Sequence, residues 1–215
     1  MNKELTEMVF IIDKSGSMAG LEADTVGGFN SMLERQKREP GRALVSTVLF
    51  DDESSVLYDR VELDRIEPMT EASYCPGGCT ALLDAIGGAV QHIRNVHKYA
   101  REEDVPAKTV FVITTDGMEN ASRSYTYNEV QRAVKQAQER DGWEFLFLGS
   151  NMDAVKAAGS FGIREERAVR YNCDGAGTAL NFRTVSKAIV GMRSCGSIPD
   201  SWKEDIDRDY AERKI

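Results

Sequence analysis

An excess of basic residues is missing from this sequence. It carries 27 Lys and Arg against 35 Asp and Glu, a formal charge of −8 over 215 residues. Such a balance provides no broad basic face for a phosphate backbone, which excludes nucleic acid as the expected partner. A divalent cation, or a protein with basic patches, suits it better. Long apolar runs are also missing. None approaches the roughly 20 residues that cross a bilayer, so no membrane partner is expected. The opening MNKELTE lacks the basic and then apolar pattern of a signal peptide, which makes the cytoplasm the expected compartment. Cysteine is sparse: Cys75, Cys79, Cys173 and Cys195 form neither a C-x-x-C pair nor a dense framework, in keeping with a reducing compartment. Cys75 and Cys79 flank a Gly pair in CPGGC and could bridge if their Cα atoms came within about 7 Å, but two reduced thiols are expected in a cytoplasm. The common nucleotide and hydrolase signatures are absent too. There is no G-x-x-x-x-G-K-[ST] loop, no G-x-G-x-x-G after the first strand, and KSGSM is not a G-x-S-x-G elbow.

What is present is a hydrophobic content of 41%, enough for one α/β domain with a full core, and a chain in which strand-like and helix-like segments alternate without repeats or low-complexity linkers. Residues 8–13 read as a buried strand, followed by a helix with Val26, Phe29 and Leu33 inward until EPG stops it. ALVSTVLF is a second strand. Only DDES separates it from SVLYDRVEL, a link too short for a crossover, so the third strand is expected to be antiparallel and at the edge. A helix from Thr80 to Ala100, a strand over 108–116, a helix over 127–140, the strand WEFLFLGS, a short helix in DAVKAAGSFG, a strand RAVRYN and a closing helix over 177–193 complete the pattern. The class is a doubly wound, mostly parallel six-stranded sheet with helices on both faces. The domain is expected to span residues 1–196. In the charged tail, residues 197–215, Trp202, Ile206 and Tyr210 are spaced by four. They would form the apolar stripe of a docked helix, or the tail would stay disordered as untethered chain ends do; the stripe favours docking.

Ligands of such sheets sit outside the carboxyl ends of the strands, where the strand order reverses. Asp13 ends the first strand, and Ser15 and Ser17 follow it at intervals of two. If the order is 3-2-1-4-5-6, the first strand borders the fourth, whose end carries TTDGMEN and hence Asp116. The loop CPGGCT can bring Thr80 to the same edge. Two carboxylates and three hydroxyls suit a hard cation: Mg²⁺ takes about six oxygen ligands and dehydrates reluctantly. Without a cation, two neighbouring buried acids would repel.

The series D-x-S-x-S, then a Thr in a Gly-rich loop, then an Asp in a T-D-G turn resembles the metal-ion-dependent adhesion site of von Willebrand factor type A domains. The resemblance covers roughly residues 5–195. It implies a Rossmann-like fold, a bound Mg²⁺ or Mn²⁺ held directly or through water by Asp13, Ser15, Ser17, Thr80 and Asp116, and a role in protein binding, as in stand-alone cytoplasmic bacterial members.

Each residue also has a plainer reading. Ser15 and Ser17 could cap the next helix, and Asp116 before Gly117 could be an ordinary turn. Asp84 is either an outer acceptor for a hydroxyl or water or a cap-region carboxylate. Asp51, Asp52 and Glu53 read as a solvated turn. His92 and His97, five apart on one helix, point about 140° from each other and are expected at the surface or boundary. A haloacid-dehalogenase-type phosphatase would need an Asp where Ser15 stands. The expected function is a non-enzymatic, metal-dependent protein-binding module that accepts an acidic side chain of a partner protein; the alternative is a metal-dependent hydrolase using a metal-bound water.

Overall fold

A computed structural model of the chain describes residues 1–150 and 153–213; Lys214 and Ile215, the last two residues of the expected tail, lie outside the described residues. Strand β1 (Asn2–Asp13) presents Met8, Phe10 and Ile12 to one face and Val9 and Ile11 to the other, and all five are buried. A strand that is apolar at both parities needs cover on both sides, and that places it at the centre of a parallel sheet. The sheet has six strands in the order β3-β2-β1-β4-β5-β6. β1 runs parallel to β2 (Arg42–Phe50) and β4 (Pro106–Thr115). β5 (Glu144–Gly149) and β6 (Ala168–Arg170) continue the parallel array. β3 (Ser54–Glu62) alone is antiparallel, paired with β2 as the short link over residues 51–53 requires.

One face carries α1 (Glu22–Gln36) and α5 (Gly175–Cys195). There Phe10 meets Phe29 edge-on at 5.3 Å, and Phe29 meets Phe182 at 6.2 Å. Gly28 lets the two helices approach, since a Cβ at that position would lie 2.5 Å from the Phe182 ring. The other face carries α2 (Leu82–Tyr99), α3 (Tyr127–Asp141) and α4 (Ala154–Ser160) over stacked Phe111 and Phe145, whose rings are 4.7 Å apart.

Several boundaries differ from the sequence reading. β1 begins six residues earlier than expected. α2 begins at Leu82 rather than Thr80 because the Thr80 backbone is already engaged: its N–H donates to Asn120 Oδ1 at 2.9 Å, and its carbonyl accepts from Asn120 N at 3.1 Å. β6 stops at Arg170, although Tyr171 N still donates to Gly149 O at 3.1 Å, because the chain then bends towards the start of α5.

Beyond α5, Ile198, Trp202 and Ile206 are buried on the α1/α5 face. A 3-10 turn (Asp200–Lys203) leads into α6 (Glu204–Arg213). Trp202 Nε1 donates to Glu166 O at 2.9 Å. Arg213 grips Asp174 at the head of α5 and, at 2.6 Å, Asp209 on its own helix. Lys187 holds Asp205 at 2.9 Å. No helix among the described residues is long and apolar enough to cross a membrane.

Candidate metal centre

Sheet register brings the acids together. Asp13 ends β1, and the neighbouring β4 ends at Thr115, so Asp116 begins the turn beside it. Both carboxylates are buried, Asp13 at 0% and Asp116 at 2% exposure. Asp13 is fixed by Ser15 N, which donates to its Oδ1 at 2.7 Å, and by Thr115 Oγ1, which donates to its Oδ2 at 2.5 Å. Tyr74, itself buried, donates its hydroxyl to the Asp13 carbonyl at 2.5 Å. Asp116 accepts from Ser17 Oγ at 2.6 Å, and Ser17 Oγ lies 3.2 Å from Ser15 Oγ. Asp13, Ser15, Ser17 and Asp116 thus form one hydrogen-bonded group. Thr80 closes on the same turn, its Oγ1 lying 2.9 Å from where a Cβ on Gly117 would sit.

This geometry excludes the plainer reading of the serines. Residues Gly16–Met18 form a 3-10 turn that Ser15 precedes without a side-chain cap bond, and α1 is preceded by Leu21. Neither serine caps a helix. Their hydroxyls lie 3.2 Å apart, and that of Ser17 donates to Asp116.

The surrounding loops are bound into one piece. Gly16 N donates to Gly78 O at 3.1 Å, Gly77 N to Lys14 O at 2.9 Å, and Ala81 N to Asp51 O at 2.7 Å. The β2–β3 turn is therefore not simply solvated, as its acidic sequence suggested. Asp52 accepts from Cys79 N at 2.9 Å, and Asp51 pairs with Lys14. Burial pushes the Asp51 carboxyl up, but its bonds from Lys14 and Glu53 N outweigh this and hold it below the usual range. Asp84 takes a different part again. It accepts from the backbone N–H groups of Arg123, Ser124 and Tyr125 at 2.8–2.9 Å and so shapes the loop after Asp116. Glu119 covers the start of α2, accepting from Leu83 N at 2.8 Å. His92 pairs with Asp59 at 2.8 Å. His97 lies at the boundary, as expected, with its ring 2.5 Å from the fully buried Glu7, well down β1 from Asp13.

The electrostatics are unbalanced. With Lys14 turned to Asp51, no Lys, Arg or His among the described residues forms an ion pair with Asp13 or Asp116. Burial raises the Asp13 carboxyl above its ordinary value of 3.8; the bonds from Thr115 and Ser15 partly offset this, and the Asp116 charge adds to it. Cys173 was not singled out as part of this site by its sequence. Its thiol lies 3.8 Å from Asp116 Oδ2, pushed up to about 11 by burial and by that carboxylate, so it stays protonated and donates. All four cysteines are free thiols. Among the described residues no three His, Cys, Asp or Glu side chains gather as a metal cluster; here two acids are joined by hydroxyls. Such an all-oxygen set with two uncompensated charges fits a hard divalent cation, which prefers oxygen ligands and would relieve the repulsion.

No family model matches the chain, and no curated protein matches it. Solved structures do match its fold. The von Willebrand factor type A protein from Catenulispora acidiphila aligns at TM-score 0.56 and 16% identity over 88% of this chain and 43% of its own. The von Willebrand factor domain of the type V pili tip protein Mfa5 from Porphyromonas gingivalis gives 0.60 and 12% over 91% and 98%. Proximal thread matrix protein 1 from the mussel byssus, with a zinc-occupied metal-ion-dependent adhesion site motif, gives 0.57 and 14% over 88% and 47%. The chain thus spans under half the length of the mussel and Catenulispora proteins. The architecture is that of the von Willebrand factor type A domain.

Proposed function

Taking that fold as premise, we propose that this chain is a metal-dependent protein-binding module whose site, formed by Asp13, Ser15, Ser17, Thr80 and Asp116, holds Mg²⁺ or Mn²⁺ and receives an acidic side chain of a partner. The observation that carries this is the pair of buried carboxylates, without a basic partner among the described residues and tied to each other through Ser15 and Ser17. A divalent cation bound there would supply Lewis acidity towards an incoming carboxylate. The residues of the chain do the rest. Thr115 and Ser15 N fix the orientation of Asp13, so the site is formed before binding. Ser17 and Cys173 engage one oxygen each of Asp116, which keeps that acid turned into the edge. Lys14 is withheld by Asp51, so it does not compete with a cation for the site.

Catalysis fits less well. Both histidines are committed elsewhere, to Asp59 and to Glu7, so no imidazole serves as a general base at Ser15, Ser17 or Thr80. A pilus tip protein and a byssal protein share the fold, which is in keeping with a binding role here. The test is calorimetry of the full chain with Mg²⁺ and Mn²⁺, followed by titration of an acidic peptide with metal present and again with EDTA. Metal binding with a 1:1 stoichiometry and metal-dependent peptide binding are expected. Peptide binding that is unchanged in EDTA would remove the proposal.

A further inference from the structure

A groove of about 580 Å³ opens beside the candidate centre, lined by Ser17, Asp116, Arg170, Asn172, Cys173 and Tyr210 among others. Its acidic residues are occupied. Asp174 accepts from Gly177 N at 2.7 Å and pairs with Arg213. The Asp24 carboxylate lies against Gly175, where a Cβ would be 2.7 Å from Oδ2, and so faces the positive N-terminal end of α5. Arg170 differs from these. Among the described residues no carboxylate comes within ion-pair distance of it, and its guanidinium instead lies 4.9 Å over the ring of Tyr210 from α6. Stacking uses the face of the guanidinium and leaves its in-plane N–H donors free, in the fork that matches a carboxylate.

Register sets the distance of this cation from the centre. Thr115, Gly149 and Arg170 form one row across β4, β5 and β6. At about 4.8 Å per strand, Arg170 stands roughly 10 Å along the edge from the end of β4, where Asp116 begins. A polyproline-II segment covers that span in about three residues, at roughly 3.1 Å each, and with three residues per turn it brings side chains three apart back to the same face.

We propose that Arg170, braced by Tyr210, is a second anchor for an acidic polypeptide segment, and that the partner carries two carboxylates three residues apart: one for the Asp13/Asp116 centre, one for Arg170. This rests on the carboxylate-accepting reading given above. It also gives the tail helix a part in recognition, since the brace comes from α6.

The test uses blocked peptides containing Asp-Gly-Gly-Glu, Asp-Gly-Gly-Gln and adjacent Asp-Glu, titrated into the ¹⁵N-labelled full chain with Mg²⁺ and with EDTA. Asp-Gly-Gly-Glu should bind about 1.5- to 5-fold tighter than Asp-Gly-Gly-Gln, the range for an exposed ion pair, and adjacent Asp-Glu should not match it. Arg170→Ala should abolish the difference without altering the affinity for Asp-Gly-Gly-Gln. Tyr210→Leu, which keeps the charge and removes the brace, should reduce the difference. A difference that survives Arg170→Ala, or none in the wild type, overturns the proposal. The underlying reading fails separately, if Asp-Gly-Gly-Gln binds equally with and without Mg²⁺. In that event, a Glu-dependent shift of the 170–172 amides in EDTA still supports the anchor, and no shift there refutes it.

Discussion

Asp13→Asn separates two roles that one side chain could play, a metal ligand and a structural hub. The replacement keeps the shape and removes the charge. The carbonyl oxygen of the new amide can still accept from Ser15 N, which donates to Asp13 Oδ1 at 2.7 Å in the wild type. The amide nitrogen would face Thr115 Oγ1, which in the wild type donates to Asp13 Oδ2 at 2.5 Å. Thr115 has an alternative acceptor, Gly117 O at 3.0 Å, so its proton can turn there while its oxygen accepts from the new amide. The network can therefore be rewired with both wild-type donors still bonded and one N–H of the new amide paired, and the expected cost is roughly 1 kcal/mol, the net worth of one hydrogen bond. Against that cost stands the relief of a buried, uncompensated charge. Burial raises the Asp13 carboxyl, which means that the metal-free fold disfavours its ionised form. Metal-free Asp13→Asn should thus melt at or above the wild-type temperature at pH 7. Metal reverses the order. At a free concentration one hundred times the dissociation constant, binding stabilises by about 2.7 kcal/mol, which for a chain of this size raises Tm by about 5–11 °C. Differential scanning calorimetry with Mg²⁺ and with EDTA should show that gain in the wild type and none in the variant. An equal gain in Asp13→Asn would refute the assignment of Asp13 as a ligand, and a metal-free loss above about 2 kcal/mol, beyond one hydrogen bond's net worth, would show that its charge is structural.

Asp13→Ala should abolish metal binding with the sheet still folded, at a cost of about 1–3 kcal/mol for the orphaned N–H of Ser15; calorimetry with circular dichroism measures both, and retained affinity would contradict it. Thr80→Ala should weaken binding of an acidic peptide more than binding of Mg²⁺, because both carboxylates remain while the hydroxyl beside Gly117 is lost; paired titrations on one sample decide, and a collapse of metal affinity with normal peptide binding by the loaded fraction would make Thr80 only a ligand. Gly28→Ala would place a Cβ 2.5 Å from the Phe182 ring and should cost about 1–3 kcal/mol by overpacking, read from the urea midpoint. Acid should release α6 before the domain. Bonds from Arg213 lower the Asp174 and Asp209 carboxyls, and a bond from Lys187 lowers Asp205. Depressed carboxyls contribute stability that is present above the ordinary 3.8 and is lost as pH falls through the lowered values. Amide exchange over 204–213 should therefore accelerate below about pH 4, and protection that persists there would oppose this account.

Much of the architecture was legible in local pattern. The apolar parity of residues 8–12 requires a central strand, and DDES permits only a hairpin, so a central β1 and the single antiparallel edge follow. Candidate ligands were visible because strand ends and short polar spacings are local features. Their supports were not. Thr115 reaches Asp13 across 102 residues of sequence and Tyr74 reaches it across 61, and no periodicity encodes such meetings. Asp52 and Glu53 are exposed, as an acidic turn suggests, but the bonds that tie the turn to Lys14 and Cys79 have no local signature. Cys173 follows a strand that ends early, so its arrival beside Asp116 depends on a bend after Arg170 that composition does not announce.

The bonds from Gly16 to Gly78 and from Ala81 to Asp51 have a mechanical meaning. A pull on anything held between Asp13 and Thr80 would not peel one loop away. It would spread at once to the ends of β1 and β2, which run parallel and in register from Leu5 and Arg42 to Asp13 and Phe50. Tension along those strands would load their bonds in shear, many together, rather than opening them one by one from an edge. The exposed β3 would bear little of it. A tether fastened at this edge would therefore draw on the central strands of the sheet, and the force needed to detach it would be set by the attachment before the fold gave way.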